Sequence, residues 1–247
     1  MKLTRIRWLF AIAIAASIVS STNVLAQGMM GGAPVDPSRG LGRILGRNPA
    51  FSATASTVSK ETATSTPTTC EFGFAWLDGK SRVEIDLTKS TTRKVDIEGM
   101  KTMGMDRLVI VHDPGRKSVL MMYPGLKAYC ETTLAQIDTL SENTGVERTE
   151  LGRETVDGHP CLKSKVKTTE ESGKTTESFV WAATDMGNFP IQTEVPTDGG
   201  GTSTTLFKDI KNTKPDAALF EAPADFTKYG GMREMIMGAM QKMMQSQ

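Results

Sequence analysis

Strict two-residue alternation of apolar and polar side chains, repeated in short runs between turn signals, constrains this chain more than any other feature. A strand points successive side chains to opposite faces, so such runs read as half-buried β-strands. Phe72, Phe74 and Trp76 point one way while Glu71, Gly73 and Ala75 point the other. After Asp78-Gly79, a dipeptide suited to a tight hairpin turn, Val83, Ile85 and Leu87 alternate with Arg82, Glu84 and Asp86. The pattern returns with Leu162, Ser164 and Val166 against Lys163, Lys165 and Lys167. Strands over 178–184, 191–195 and 204–210 follow, with Asp198-Gly199-Gly200-Gly201 as a break between the last two.

Residues 107–112 and 118–123 are apolar on both faces and are joined by the turn Asp113-Pro114-Gly115-Arg116, so both faces need cover. Segments 97–105, 133–141 and 232–244 are the candidate helices for that role. Many sequential hairpins with few helices make a large antiparallel sheet, apolar on one side, which must curl or be capped. The expected fold class is therefore mainly β (α+β): a curved antiparallel sheet or half-barrel under a small helical lid, with a C-terminal amphipathic helix. Phe72, Phe74, Trp76, Leu108, Ile110, Leu120, Met122 and Trp181 are the apolar strand positions expected to line its concave face, as a ligand cavity or as packed core.

Residues 1–26 read as a secretory signal peptide. Lys2, Arg5 and Arg7 form a cationic start, Leu9 opens an apolar stretch too short to span a bilayer, and Val24-Leu25-Ala26 places small residues at a cleavage site. Cleavage after Ala26 predicts a periplasmic protein with no transmembrane segment in the mature chain. Gln27, standing where a lipoprotein needs cysteine, predicts a soluble one. Residues 27–49, rich in Gly, Met and Pro without periodicity, read as a flexible leader; 50–228 form the sheet domain, and 229–247 a Met-rich helical tail. Removing the three signal-peptide cations from 29 Lys and Arg leaves slightly fewer basic residues than the 28 Asp and Glu, which argues against nucleic acid as a partner.

Three cysteines in an oxidising compartment predict one disulfide and an odd thiol. Cys130 with Cys161 is the preferred pair, because both fall where successive strands are expected to be neighbours while Cys70 opens a distant hairpin. No cysteine spacing suits a metal centre, and no cofactor motif is present. His112 precedes a turn and His159 sits within one, neither framed by a nucleophile or carboxylate set, so no catalytic residue is assigned. In the tail, Met232, Ile236, Met240 and Met243 share one helical face. That stripe suits packing on the domain, an adaptable lipid or protein surface, or Cu(I) ligation by thioethers, to which Met100, Met103 and Met105 could add.

The stretch from Gly152 to Lys163 is a strand, a tight turn and a strand. Phe179-Val180-Trp181, Asn188-Phe189-Pro190-Ile191 and Leu219-Phe220-Glu221-Ala222-Pro223 follow at hairpin spacing. In that order they resemble the carboxyl half of the LolA/LolB-like superfamily of periplasmic lipoprotein carriers, with the uncharacterised members the most similar. The resemblance implies a half-open barrel on a helical lid whose apolar cavity holds acyl chains or other lipid; it carries over no functional residue. The expected function is a non-catalytic periplasmic binder of a lipid, an acylated molecule or another hydrophobic ligand. The alternative is an envelope protein that docks a partner through its Met-rich tail.

Overall fold

Two Asp-Gly pairs fix the tightest connections of the sheet. Asp78 and Gly79 have φ of 49° and 88°, and Asp157 and Gly158 have 48° and 83°, the left-handed pairs that a two-residue hairpin turn matched to strand twist requires. The first joins β2 (Thr68–Leu77) to β3 (Lys80–Asp86), and the second joins β7 (Gly145–Val156) to β8 (His159–Thr169). The computed structural model of the chain describes residues 50–89, 97–133, 145–169, 175–197 and 199–245. The signal peptide and leader expected over 1–49, and most of the candidate cover over 133–141, lie outside them.

The remaining strands are β1 (Ala50–Ser59), β4 (Arg107–Asp113), β5 (Ser118–Tyr123), β6 (Ala128–Thr133), β9 (Thr175–Ala183), β10 (Phe189–Pro196), β11 (Thr202–Lys211) and β12 (Thr227–Tyr229). All belong to one curved, unclosed sheet of 12 strands in the order β12-β6-β5-β4-β3-β2-β1-β11-β10-β9-β8-β7. Only β12, lying parallel on β6, departs from antiparallel pairing. The chain meanders from β1 to β6, restarts with β7 at the opposite edge, and returns through β11 to pair with β1. Register shifts at Ser52/Thr54, Glu150/Gly152 and Pro190/Gln192 interrupt the ladders. Each shift adds local twist, which helps the sheet curl.

Both faces are covered, as the apolar runs of β4 and β5 require. On the concave side, Met100 of α1 (Ile97–Thr102), Met105 beyond it and Met235 of α2 (Met232–Gln245) join the main core with Val119, Met121, Tyr123 and Cys130. On the outer side a strap over 214–226 drops Phe220 among Ala75, Leu77, Val109, Val111 and Met122. Polar contacts pin that strap. Asp216 accepts a hydrogen bond from the Ala218 amide at 2.9 Å, Arg82 Nε donates to the Leu219 carbonyl at 3.0 Å, and Arg116 grips both Glu221 oxygens at 2.8 and 2.7 Å. Asp113, at the tip of the β4–β5 turn, is held by Lys80 Nζ at 2.9 Å. Burial pushes its carboxyl upward, but the Lys80 hydrogen bond and the Arg116 amide bring it below the ordinary range.

Two expectations need correction. Cys70, Cys130 and Cys161 are all free thiols, so the Cys130–Cys161 bridge is not formed. The premise of neighbouring strands fails, because eight strands stand between β6 and β8 in the sheet order. In the tail, the buried face centres on Met235, fully enclosed, with Met232 and Ile236 partly buried beside it, whereas Met240 is 48 % exposed. Among the described residues, no helix is long and apolar enough to cross a membrane.

Candidate functional site

Cross-strand pairs identify the concave face residue by residue, because partners in register project to the same side. One row runs Ala53–Phe74–Val83–Ile110–Met121–Cys130 from β1 through β6. A parallel row runs Ala55–Phe72–Ile85–Leu108, and a third begins Phe51–Trp76–Ser81–His112–Val119. Phe72, Phe74, Trp76, Leu108 and Ile110 thus come together on the face that the lid covers. Leu120 and Met122 do not. They pair with Val111 and Val109 on the outer side, under the strap.

Trp181 is buried in the same core cluster as Phe72 and Phe74, although its ladder partners place it in a different row. Its neighbour Val180 pairs with Thr193 and Ser164, while Trp181 pairs with Lys163 and Gln192 on the other side of β9. There its indole donates to Glu154 Oε2 at 2.7 Å, and Lys163 Nζ lies 4.7 Å from the ring centroid while bonding Glu154 Oε1 at 2.9 Å. The Glu154 carboxyl is held below its ordinary value, first by the indole hydrogen bond and then by Lys163.

Phe74 is joined in an aromatic cluster by three rings that were not among the expected cavity positions. Phe51 stacks on Phe74 at 5.5 Å and meets Phe189 edge-on at 5.1 Å; Phe207 meets Phe74 at 6.0 Å and Phe189 at 5.8 Å. This four-ring cluster ties the β1–β6 half of the sheet to the β7–β11 half. Phe207 and Ile191 also floor a pocket of about 350 Å³ whose rim carries Asp157, His159, Lys208, Asp209 and Lys211. Alternation within 204–210 was the available signal for Phe207, and the Asn188–Ile191 motif for Phe189.

Towards the other end, over β8–β11 and β1, the concave face changes character. Ser164, Val180, Thr193, Thr205 and Thr57 form one continuous row ending at Cys70, and Ser203 pairs with Val195 and Ser59 in the next. All these hydroxyl residues are buried. Thr57 and Thr205 share a hydrogen bond of 2.8 Å, and Ser178 donates to the Val166 carbonyl. The hydroxyls of Ser164, Thr193 and Ser203 have no partner, nor has the buried Nε of Arg148 on β7.

The α1 end of the lid is positioned by close backbone contact. Gly104, just past α1 with φ 68°, packs on Gly125 between β5 and β6. A Cβ on Gly125 would collide with the Gly104 carbonyl oxygen and stand 2.8 Å from its Cα. Gly125→Ala should therefore cost about 1–3 kcal/mol through overpacking. It should also push α1 and Met105 off the sheet, read as a lower melting temperature with faster amide exchange over 97–105. Unchanged exchange there would refute the assignment of this contact as the lid's anchor.

His159 Nδ1 lies 2.8 Å from Asp185 Oδ2, but the nearby Cys161 thiol donates to the His159 backbone carbonyl and not to the ring. The pair is a surface contact of the β7–β8 turn without a nucleophile beside it. Among the described residues, no group of three or more His, Cys, Asp or Glu side chains is arranged to hold a metal ion.

No family model matches the chain, and no curated protein matches it. Solved structures do. Lipoprotein LppX of Mycobacterium tuberculosis is 11 % identical over 66 % of this chain and 88 % of its own, with a TM-score of 0.39. A LolA superfamily protein from Nitrosomonas europaea is 10 % identical over 71 % and 91 %, with a TM-score of 0.34. The Pseudomonas aeruginosa MucA/MucB complex matches at 13 % over 76 % and 61 %, with a TM-score of 0.37. The likeness is one of overall arrangement and reaches no individual side chain. The LolA superfamily, which the sequence resembles, is named among these structures.

Proposed function

We propose that the protein is a non-catalytic periplasmic binder of a lipid, acylated or other hydrophobic ligand, which lies along the concave face beneath the lid. The observation that carries this reading is the chemistry of the cover. An apolar face built from Phe72, Phe74, Leu108, Ile110 and Met121 is closed by Met100, Met105, Met232 and Met235 on short segments rather than by another sheet. Thioether side chains are unbranched and adaptable, so they can fill the face when it is empty and repack around an acyl chain. The resemblance in sequence implies the same ligand class. The signal peptide, cleaved after Ala26, would deliver the chain to the space where such ligands cross between membranes.

Native mass spectrometry of the protein purified from its own periplasm tests this reading. The expected result is a bound lipid mass, removed by organic extraction and restored by adding the extract back. Recovery of the bare polypeptide alone, with no uptake of an added fluorescent fatty acid, would refute it.

A second reading has its own observation. Met237 and Met240 of α2 are 62 % and 48 % exposed on the side away from the sheet, a surface suited to an envelope partner. Deleting 229–247 separates the two: a docking protein loses its partner and keeps any cavity ligand, whereas a lidded binder loses the ligand.

A further inference from the structure

The hydroxyl-lined end of the concave face is poorly suited to an acyl chain. A hydrocarbon there would leave Ser164, Thr193 and Ser203 unpaired in a water-free interior, and stranded polar groups of this kind are costly. These three side chains are fully buried. Ser164 and Thr193 flank Val180 in one cross-strand row, and Ser203 lies one step along from Thr205, the partner of Thr193. Neighbouring strands are about 4.8 Å apart, so Ser164 and Thr193, two strands distant, lie about 10 Å from each other. That span is too wide for a single small ion and suits a headgroup with several oxygens.

Arg148 supplies the matching charge. It pairs with Val166, diagonal to Ser164, on the same side of the sheet, and its Nε is buried without a hydrogen-bond partner. Burial lowers its readiness to stay charged, and only Glu150 opposes this. A desolvated guanidinium edge beside three unpaired hydroxyls is a set of donors in search of an anionic oxygen acceptor.

Resting on the proposed binding function, we infer that Arg148, Ser164, Thr193 and Ser203 receive the phosphate-bearing headgroup of a glycerophospholipid whose chains lie on the aromatic end. The concave face is then polarised along the strands, with the four-ring cluster of Phe51, Phe74, Phe189 and Phe207 at one end and the headgroup donors at the other.

The test compares dioctanoyl phosphatidylglycerol with dioctanoylglycerol, which has the same chains and no phosphate, by calorimetric titration of the full chain. Inorganic phosphate serves as a third probe. The phosphatidylglycerol is expected to bind at least about tenfold more tightly, the value of one charge-assisted hydrogen bond to a buried group. Arg148→Gln should bring that ratio close to one, and Thr193→Val should reduce it severalfold. Equal binding of the two lipids by the unsubstituted protein overturns the headgroup inference and leaves the cavity reading standing. Binding of neither lipid overturns both. Binding of inorganic phosphate without either lipid shows an anion site unconnected with lipid and equally overturns the inference.

Discussion

Phe51→Ala is expected to remove about 3–5 kcal/mol of stability, enough to unfold a marginally stable domain at physiological temperature. The ring is fully buried, stacked on Phe74 and edge-on to Phe189, and these contacts belong to strands from the two different meanders of the sheet. Truncation therefore opens a cavity where β1 joins them, and surrounding strands fixed by ladder hydrogen bonds have little freedom to collapse into it. The expected signature is a lower urea midpoint with an unchanged slope, since the surface exposed on unfolding stays nearly the same. Phe179→Ala is the internal comparison. Phe179 is also aromatic and on a strand, but it is only partly buried, 6.4 Å from Trp181 and outside the four-ring cluster, so its loss should cost far less. Equal losses for the two substitutions would show that the cluster is not the keystone of the sheet. The result also bears on where the folded unit begins. Phe51 stands at the second position of β1, next to the proposed boundary at residue 50.

Much of the sheet was legible because side-chain period and turn chemistry are local. Phe72, Phe74 and Trp76 share a face, the Asp78-Gly79 turn has the backbone its residues favour, and the Asp113–Arg116 turn joins β4 to β5. What escaped was non-local. In β5 both phases of the alternation are apolar, so nothing in the strand itself distinguishes Met121, which faces the lid, from Leu120 and Met122, which face Phe220. Trp181 lies in the main core cluster with Phe72 and Phe74, but its indole also meets Glu154 and Lys163, a polar pairing that hydrophobicity does not signal. The expected disulfide failed on topology, because β7 pairs at the far edge of the sheet and not beside β6. Ser164 was placed correctly on the side of Leu162 and Val166. That this side runs on through Thr193, Thr205 and Thr57 is visible only once the strand order is known. In the tail, a helical wheel gives relative angles and no absolute orientation, so the fully buried Met235 lay off the stripe drawn through Met240.

Alkaline pH should destabilise the fold, with about 5 kcal/mol of the loss coming from Cys130 and Tyr123 beneath the lid and a further share from the Cys70 thiol, which burial likewise pushes up to about 11. Burial pushes the Cys130 thiol from 9.0 up to about 11. It pushes the Tyr123 phenol from 10.0 up to about 12, with repulsion from a Cys130 thiolate as the lesser cause. Both groups are neutral when protonated, so a raised value means that the folded chain keeps protons the unfolded chain has released. Stability from this source is complete below the unfolded values and falls as pH rises through about 9 to 12. Two pKa units correspond to about 2.7 kcal/mol for each group. The denaturation midpoint should accordingly be level to about pH 9 and then fall steeply. Tyr123→Phe should flatten the upper part of that fall, and Cys130→Ala the lower part, the latter also removing the thiolate repulsion that is the lesser cause of the raised Tyr123 phenol. A midpoint that stays level to pH 12, or a fall unaltered by both substitutions, would refute the assignment. Because α2 packs on β6, which carries Cys130, ionisation there acts against the lid, and any bound hydrophobic ligand should leave over the same pH range before the sheet itself unfolds.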